Sequence, residues 1–490
     1  MQSVPPAPAS KPTAPEFALG LPWLNTPKSL TLTELRGKVV LLDFWTYCCI
    51  NCMHVVPELK QLEDKFAGEP FVVIGVHSGK FDNEKDEANI RAAIQRYEIR
   101  HPVIVDSEYK VWNDYAVQAW PTLVLIGPDG AIIGSVTGEG HGAALEKYIR
   151  TALDAGKKAG TLRAGSIVAG TELVNEGKGP LAFPGKILAA NGRLFISDSN
   201  HNRIVVTTPD GQVQHVYGAG APGREDGAQA TFNHPQGVAL SGGTLYVADT
   251  QNHLVRAIDL KTNLVTTVAG TGERGSRNPH GPALKAALAS PWDVLAIGRT
   301  LYIANAGSHQ LLALNLDQHE LSVAAGSGKE NHSDGMGESA AFAQPSGLTT
   351  DGKAIYVADS EVSSVRRFDP ASGEVSTLVG KGLFDFGDVD GVGDKVRLQH
   401  PLAVTWSDNG LFVADTYNHK VKRLQDKTAS TFVGTGKSGT ALGDKVQLFE
   451  PGGISVADGK LYIADTNNSR IVIIDTKTKL ATALKLRFPG

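Results

Sequence analysis

The chain has 490 residues, too many for one ordinary domain, with 41% hydrophobic and 20% charged residues, which excludes wholesale disorder. A formal net charge of −4, with Lys and Arg scattered along the chain, gives no electrostatic footprint for nucleic acid. No apolar run approaches the roughly 18 residues of a membrane span, so no membrane partner is expected.

Residues 1–16 are rich in Pro and Ala and read as a flexible tail. They lack the basic start and apolar core of a secretory signal, so the expected location is the cytoplasm; a chain already trimmed of its signal, periplasmic or secreted, would look the same.

From residue 17 to about 158 strand and helix patterns alternate. Lys38–Trp45 and Phe71–His77 are continuous apolar runs of the kind that form buried strands. Between them Val55, Val56, Leu59, Leu62 and Phe66 fall at helical spacing, which predicts a helix over Cys49–Phe66. A helix is expected at Asn83–Glu98, a strand at Pro102–Asp106 and a short helix at Tyr109–Tyr115. Thr122–Ile126 and Ala131–Gly138 form a hairpin across Gly127-Pro128-Asp129-Gly130, and Ala143–Ala155 closes the unit as a helix. Residues 159–182 read as a linker.

Residues 183–490 carry an internal repeat. Leu245–Thr250 (LYVADT) recurs as Leu411–Thr416 and Leu461–Thr466, with looser copies at Leu194–Ser199, Leu301–Ala306 and Ile355–Ser360. Six copies at about fifty residues suit an all-β propeller of six four-stranded blades. In the second unit the strands are expected at Gly237–Leu240, Thr244–Ala248, Leu254–Asp259 and Leu264–Ala269. A proline opens each unit's first strand (Pro184, Pro235, Pro291, Pro345, Pro401, Pro451), where it removes no ladder hydrogen bond from the strand's middle. Phe232, Phe342 and Leu398, just ahead of three of these prolines, read as plugs between blades. The aligned Asp198, Asp249, Asn305, Asp359, Asp415 and Asp465 read as caps holding backbone N–H groups of the turn that follows. The block LYVADT-x-NH-x-V at Leu245–Val255 and Leu411–Val421 resembles the NHL family of propellers. Closure by a strand from Leu162–Val168 is not required, because the last unit owns four strands.

All three cysteines, Cys48, Cys49 and Cys52, lie within five positions between a buried strand and a helix, which marks local chemistry and not a disulfide framework. A thiol at a helix N-terminus meets backbone N–H groups and the macrodipole, which stabilise a thiolate, and a second thiol one turn on can resolve a mixed disulfide. Cys49 is therefore the candidate nucleophile and Cys52 the resolving thiol. The segment resembles the thioredoxin superfamily, its TlpA-like branch above all, in Phe44-Trp45, the Cys49/Cys52 pair, Pro57 and the distant Trp120-Pro121-Thr122. That resemblance implies a cis Pro121 facing the dithiol and a buried Asp43 exchanging a proton with Cys52; the alternative is that Asp43 satisfies a backbone donor. Trp45, Tyr47 and Trp120 are expected to contact substrate. Cys48 stands where the family has an aromatic, and Ile50-Asn51 replaces its usual inter-cysteine pair.

The whole arrangement resembles the NHL-repeat-containing thioredoxin-like proteins. It implies a thiol–disulfide oxidoreductase domain with no cofactor beyond its dithiol, acting on a protein disulfide or thiol, beside a propeller that binds an unidentified protein or ligand. The competing reading is a scaffold that senses or binds without turnover. Zinc on Cys48, Cys49, Cys52 and His54 lacks a second ligand cluster, and Met53 stands where covalent haem needs His. In the propeller, His201, His253, His419, His234 and His400 invite a metal or lyase reading, but Ser290, Gln344 and Glu450 interrupt the pattern. Asp385–Asp394 lacks calcium-loop spacing.

Overall fold

A computed structural model describes residues 12–165, 167–173 and 179–489. The chain divides into two units, Met1–Glu176 and Gly177–Gly490.

In the first unit the elements are β1 (Trp23–Leu24), β2 (Val39–Trp45), α1 (Ile50–Lys65), β3 (Phe71–His77), α2 (Glu87–Arg96), β4 (Val103–Val105), α3 (Lys110–Asp114), β5 (Thr122–Ile126), β6 (Ile132–Thr137) and α4 (Gly142–Ala159). They form one mixed sheet in the order β1-β4-β3-β2-β5-β6, with β2, β3 and β4 parallel and β5 antiparallel to β2. All seven residues of β2 are buried because helices and loops cover both faces. Strand alternation sends Val40, Leu42 and Phe44 into one core, with Ile74, Val76 and Trp112. Val39 and Leu41 go to the other, with Leu59 and Leu62 of α1 and Ile149 of α4. Asp43 and Trp45 continue that second series, on the α1 side of the sheet.

Three differences from the expected elements have local causes. The helix expected at Asn83–Glu98 is interrupted: Asp82–Lys85 is a 3-10 turn, Asp86 is extended, and its side chain caps α2 by accepting from Ala88 N at 2.8 Å. Of the expected tail, residues 1–11 lie outside the described residues. Residues 12–16 are tied down: Thr13 bridges to Ala131, Ala14 is buried, and the Glu16 carboxylate accepts from Leu32 N and Thr33 N. The expected linker packs on the first unit as far as Glu172. Leu162 joins the α1/α4 core, Arg163 N donates to Gly37 O at 2.9 Å, and Asn25 holds Gly170 and Glu172.

The second unit is a six-bladed propeller. Blade two is Pro235–Ser241, Thr244–Asp249, Leu254–Asp259 and Leu264–Ala269, and the other blades repeat these four strands, blades three, four and five with a two-residue strand added on the outer edge. Innermost strands pack on one another around the ring, blade six against blade one. Phe232, Phe342 and Leu398 are fully buried between successive blades.

The repeated motif is a set of hydrogen bonds. In every blade the Asp or Asn accepts, at Oδ1, a backbone N–H sixteen residues upstream: Ala182, Asn233, Ala289, Ala343, Gln399 and Phe449. The backbone N–H groups so held belong to the turn before the innermost strand, a reversal of the expected direction, while the turn that follows is held through a side chain, as where Asn252 and Asn418 donate to Oδ2 of Asp249 and Asp415 at 2.8 Å. The hydroxyl after the Asp reaches across to the next blade, where Thr250 donates to Pro291 O and Thr416 to Pro451 O. Ser199 and Ser360 do the same to Pro235 O and Pro401 O. Thr466 donates to Pro184 O at 2.9 Å and so joins blade six to blade one.

A second link uses the left-handed residue four positions after each Asp or Asn. His253, His309 and His419 accept, at Nδ1, the backbone N–H of Ser290, Gln344 and Glu450 in the next blade. Asn202, Ser363 and Ser469 accept that of His234, His400 and Phe183. These histidines thus use a ring nitrogen to join blades, a role the metal reading missed along with His309 itself.

Closure borrows no strand from the described part of Leu162–Val168. Blade six keeps its own four strands, and the segment beyond them pairs with blade one through Val213 N to Arg487 O at 3.0 Å and Arg487 N to Gly211 O at 2.8 Å.

Candidate active site

β2 ends at Trp45, and Thr46–Cys49 turns the chain into α1. Cys49 is the N-cap of that helix, extended at φ −78° and ψ 115°, and its Sγ accepts from Cys52 N at 3.3 Å. No acidic residue lies in the first turn to compete for the positive end of the helix dipole. All three cysteines are free thiols. Cys49 is partly exposed, whereas Cys52 is 2% and Cys48 0% exposed. Burial pushes the Cys52 thiol well above its ordinary value, and neighbouring Cys49 and Asp43 push the same way. The two thiols of the pair are therefore unequal: one is open to a partner at a helix terminus and the other is sealed beneath it.

The turn is fixed by a residue that sequence reasoning missed. Glu84 is fully buried, and its carboxylate accepts from Thr46 Oγ1 (2.7 Å), Cys48 N (2.8 Å), Lys80 N and Phe81 N (both 2.9 Å). Four donors satisfy a buried carboxylate. Cys48 points into the same interior, its Sγ 3.9 Å from Thr46 Oγ1.

Asp43 is 2% exposed, and its Oδ1 has no hydrogen-bond partner, so it is not spent on a backbone donor through that atom. Burial pushes its carboxyl up to about 7, the positive charge of His101 acting against the shift. Trp45 and Tyr47, expected to contact substrate, are core residues at 2% and 0% exposure. Trp45 lies edge-on to His77 at 4.8 Å and Tyr47 stacks on it at 5.4 Å. Their position at the end of a strand covered on both faces accounts for the difference. His77 is held neutral by burial, its pKa lowered to about 3.

The Trp120–Pro121 bond is cis. Register pairs Phe44 with Thr122, which sets Pro121 beside the end of β2 from which the cysteine turn departs. Trp120 is half-buried against Trp112 at 4.7 Å. Next to it Gly138 N donates to Pro121 O, and the Glu139 that follows holds His54 of α1 by Nδ1 at 2.6 Å. His54, considered above as a metal ligand, is thus engaged by a carboxylate.

In the propeller the innermost strands line an axial cavity of about 190 Å³. Lys186, buried, spans it: Nζ donates to Ser346 O at 2.7 Å and to Leu402 O, and lies 3.8 Å from Asp293 Oδ2. Desolvation lowers the Lys186 pKa to about 8, with Asp293 opposing. Gly237 is required here, since a Cβ would fall 2.1 Å from Asp293 Oδ1.

With these geometries in hand, residues 37–132 match the thioredoxin-like family, and 232–258 and 450–474 match the NHL repeat. The chain thus joins a thioredoxin-like domain to an NHL-repeat propeller. It is 44% identical to NHL repeat-containing protein 2 of Bos taurus, over 87% of this chain and 64% of that one. It is 43% identical to protein SUPPRESSOR OF QUENCHING 1, chloroplastic, of Arabidopsis thaliana, over 87% of this chain and 43% of that one. The chain thus spans less than two thirds of these relatives' length. The thioredoxin-like part is also similar to the thiol-disulfide oxidoreductase ResA of Bacillus cereus, at 28% identity over 25% of this chain and 68% of that one.

Proposed function

We propose that the N-terminal domain exchanges thiols and disulfides with a protein substrate and that the propeller is a rigid platform for a protein or ligand. The observation that carries the first part is the inequality of the two thiols. Cys49 sits partly exposed at the N-cap of α1, and Cys52 is buried one turn on.

In this reading the Cys49 thiolate attacks a substrate disulfide, forming a mixed disulfide and releasing one substrate thiolate. Cys52 then loses its proton to Asp43 and attacks the Cys49 sulfur, which forms the Cys49–Cys52 disulfide and releases the second thiolate. The need for a base follows from burial, which raises the Cys52 thiol and places Asp43 near neutrality. The thiol-disulfide oxidoreductase name of the Bacillus cereus relative supports the same chemistry.

The test is insulin disulfide reduction with dithiothreitol as reductant. The chain should exceed the uncatalysed rate and Cys49→Ser should fall back to it; a scaffold would give the uncatalysed rate throughout. The reduction potential then sets direction, a reductant lying near roughly −270 mV and an oxidant near about −120 mV.

A further inference from the structure

The innermost strand of each blade is paired along one edge alone, so its other edge faces the propeller axis and the cavity of about 190 Å³ that lies there. At one end of that cavity the strands close on each other. A Cβ at Gly237 would fall 2.1 Å from Asp293 Oδ1, one at Gly453 2.6 Å from Lys186 Cα and one at Gly347 2.8 Å from Ala403 Cα. The two charged side chains at this level are already engaged. Lys186 Nζ donates to Ser346 O and Leu402 O beside Asp293, and Asp293 accepts from Val294 N and Leu348 N, both at 2.9 Å. The cavity is therefore a cup with a closed floor, and the opposite charges of the floor offset each other.

Above the floor the wall is of two kinds. Four positions after its opening proline, each blade gives the cavity one residue: Leu188, Ala239 and Leu295 from blades one to three, and Thr349, Thr405 and Ser455 from blades four to six. One half of the ring is apolar and the other half carries hydroxyls. Thr349 Oγ1 accepts from Trp406 N and Ser455 Oγ from Ala189 N, both at 3.0 Å, so each of these oxygens accepts and its own proton remains to be given. Thr405, 8% exposed, makes no side-chain hydrogen bond among the described residues. Three hydroxyl donors thus stand at one depth, on one side of the cup. A mostly apolar concavity with a few convergent polar groups is the usual form of a small-molecule site.

We propose that the cup binds a compact, uncharged molecule with an oxygen acceptor on one side and an apolar body on the other: a small amide, ketone or ester. Resting on the platform reading above, it gives the platform a ligand class and a seat. The acceptor oxygen lies against Thr349, Thr405 and Ser455, and the apolar body against Leu188, Ala239 and Leu295. An ion is disfavoured, because it would leave water for a site whose own charges are already paired.

Benzamide, benzoate and benzylamine are close in shape and differ in charge, and each can be titrated against the full chain by saturation-transfer NMR. Benzamide should bind in the millimolar range, and the two ions about tenfold more weakly or worse. Thr405→Val keeps the shape of the side chain and breaks no hydrogen bond within the protein. It should weaken benzamide about threefold to tenfold, the scale of one hydrogen bond. Ala296→Phe, at the half-buried end of the wall away from Lys186, should abolish binding, and it provides the test if Thr405→Val does not fold. Equal binding by the wild type and the folded variants would place the probe elsewhere and overturn the cup, leaving the platform reading standing. Tighter binding of either ion would overturn the uncharged class. Binding of none of the three would overturn the cup together with the small-ligand half of the platform reading.

Discussion

Replacing Arg366 by Leu removes one side of a fully buried ion pair in blade four. Arg366 and Asp359 are both 0% exposed, joined at 3.0 Å, and the guanidinium also donates to Ala341 O, Ser333 O and Asp334. Removing one partner of a buried pair costs about 3–5 kcal/mol, because the other charge stays buried alone. At roughly 2 °C per kcal/mol for a unit of this size, Tm should fall by about 6–10 °C. The fall should depend on pH. Burial already raises Asp359 from 3.8 to about 6, and without the guanidinium it moves higher. A carboxyl with a folded pKa above its unfolded one folds best protonated, so the penalty is smallest below the unfolded value and grows as pH rises through the folded one. Blade three supplies the control, since it has Asn305 for the Asp and Leu312, seven residues on, for the Arg. The double variant Asp359→Asn/Arg366→Leu should therefore recover part of the loss. Thermal melts followed by circular dichroism at pH 5 and pH 8 would decide it. Equal losses at both pH values, or a double variant no better than the sum of the singles, would refute the reasoning.

Iodoacetamide at neutral pH, read by mass spectrometry, should label Cys49 before Cys52 or Cys48, following their exposure; preferential labelling of Cys52 would reverse the assignment. Cys48→Ala should leave disulfide exchange nearly intact, whereas Cys52→Ser should accumulate mixed disulfides on non-reducing gels. Thr466→Val, which removes the hydroxyl between blades six and one and leaves both Pro184 O and Gly452 N without it, should cost about 1–3 kcal/mol in denaturant melts; no change would make that link dispensable. A fragment from Gly177 onward should be soluble and unfold cooperatively by circular dichroism, and its aggregation would mean that the units depend on each other.

The order of strands and helices, the placing of the cysteines and the number of blades were legible because each rests on local periodicity or on a repeated word. The side chains around the dithiol were less so. Glu84 meets the cysteine turn from 36 residues away, inside a segment that reads as a polar helix face. His54 and Glu139 are 85 residues apart. Nothing in their spacing ties them to the active site; only the folded sheet does. Trp45 and Tyr47 were misplaced because aromatic character is the same in a core as on a binding surface, and burial on both faces of β2 decides between them. The repeated Asp was recognised as a cap, but its direction was hidden because its partner precedes it by sixteen residues.

In the propeller five of the six repeats carry a hydroxyl on one border, blade three having Ala306 in its place, and all six carry a proline on the other, so that Thr466 meets Pro184 as Thr250 meets Pro291. Where the hydroxyl is present the same contact recurs from repeat to repeat, and the last repeat meets the first in the same way. The joint between blades six and one keeps this contact and adds to it the pairing of Arg487 with Gly211 and Val213, so the ring is fastened twice where its repeats begin and end.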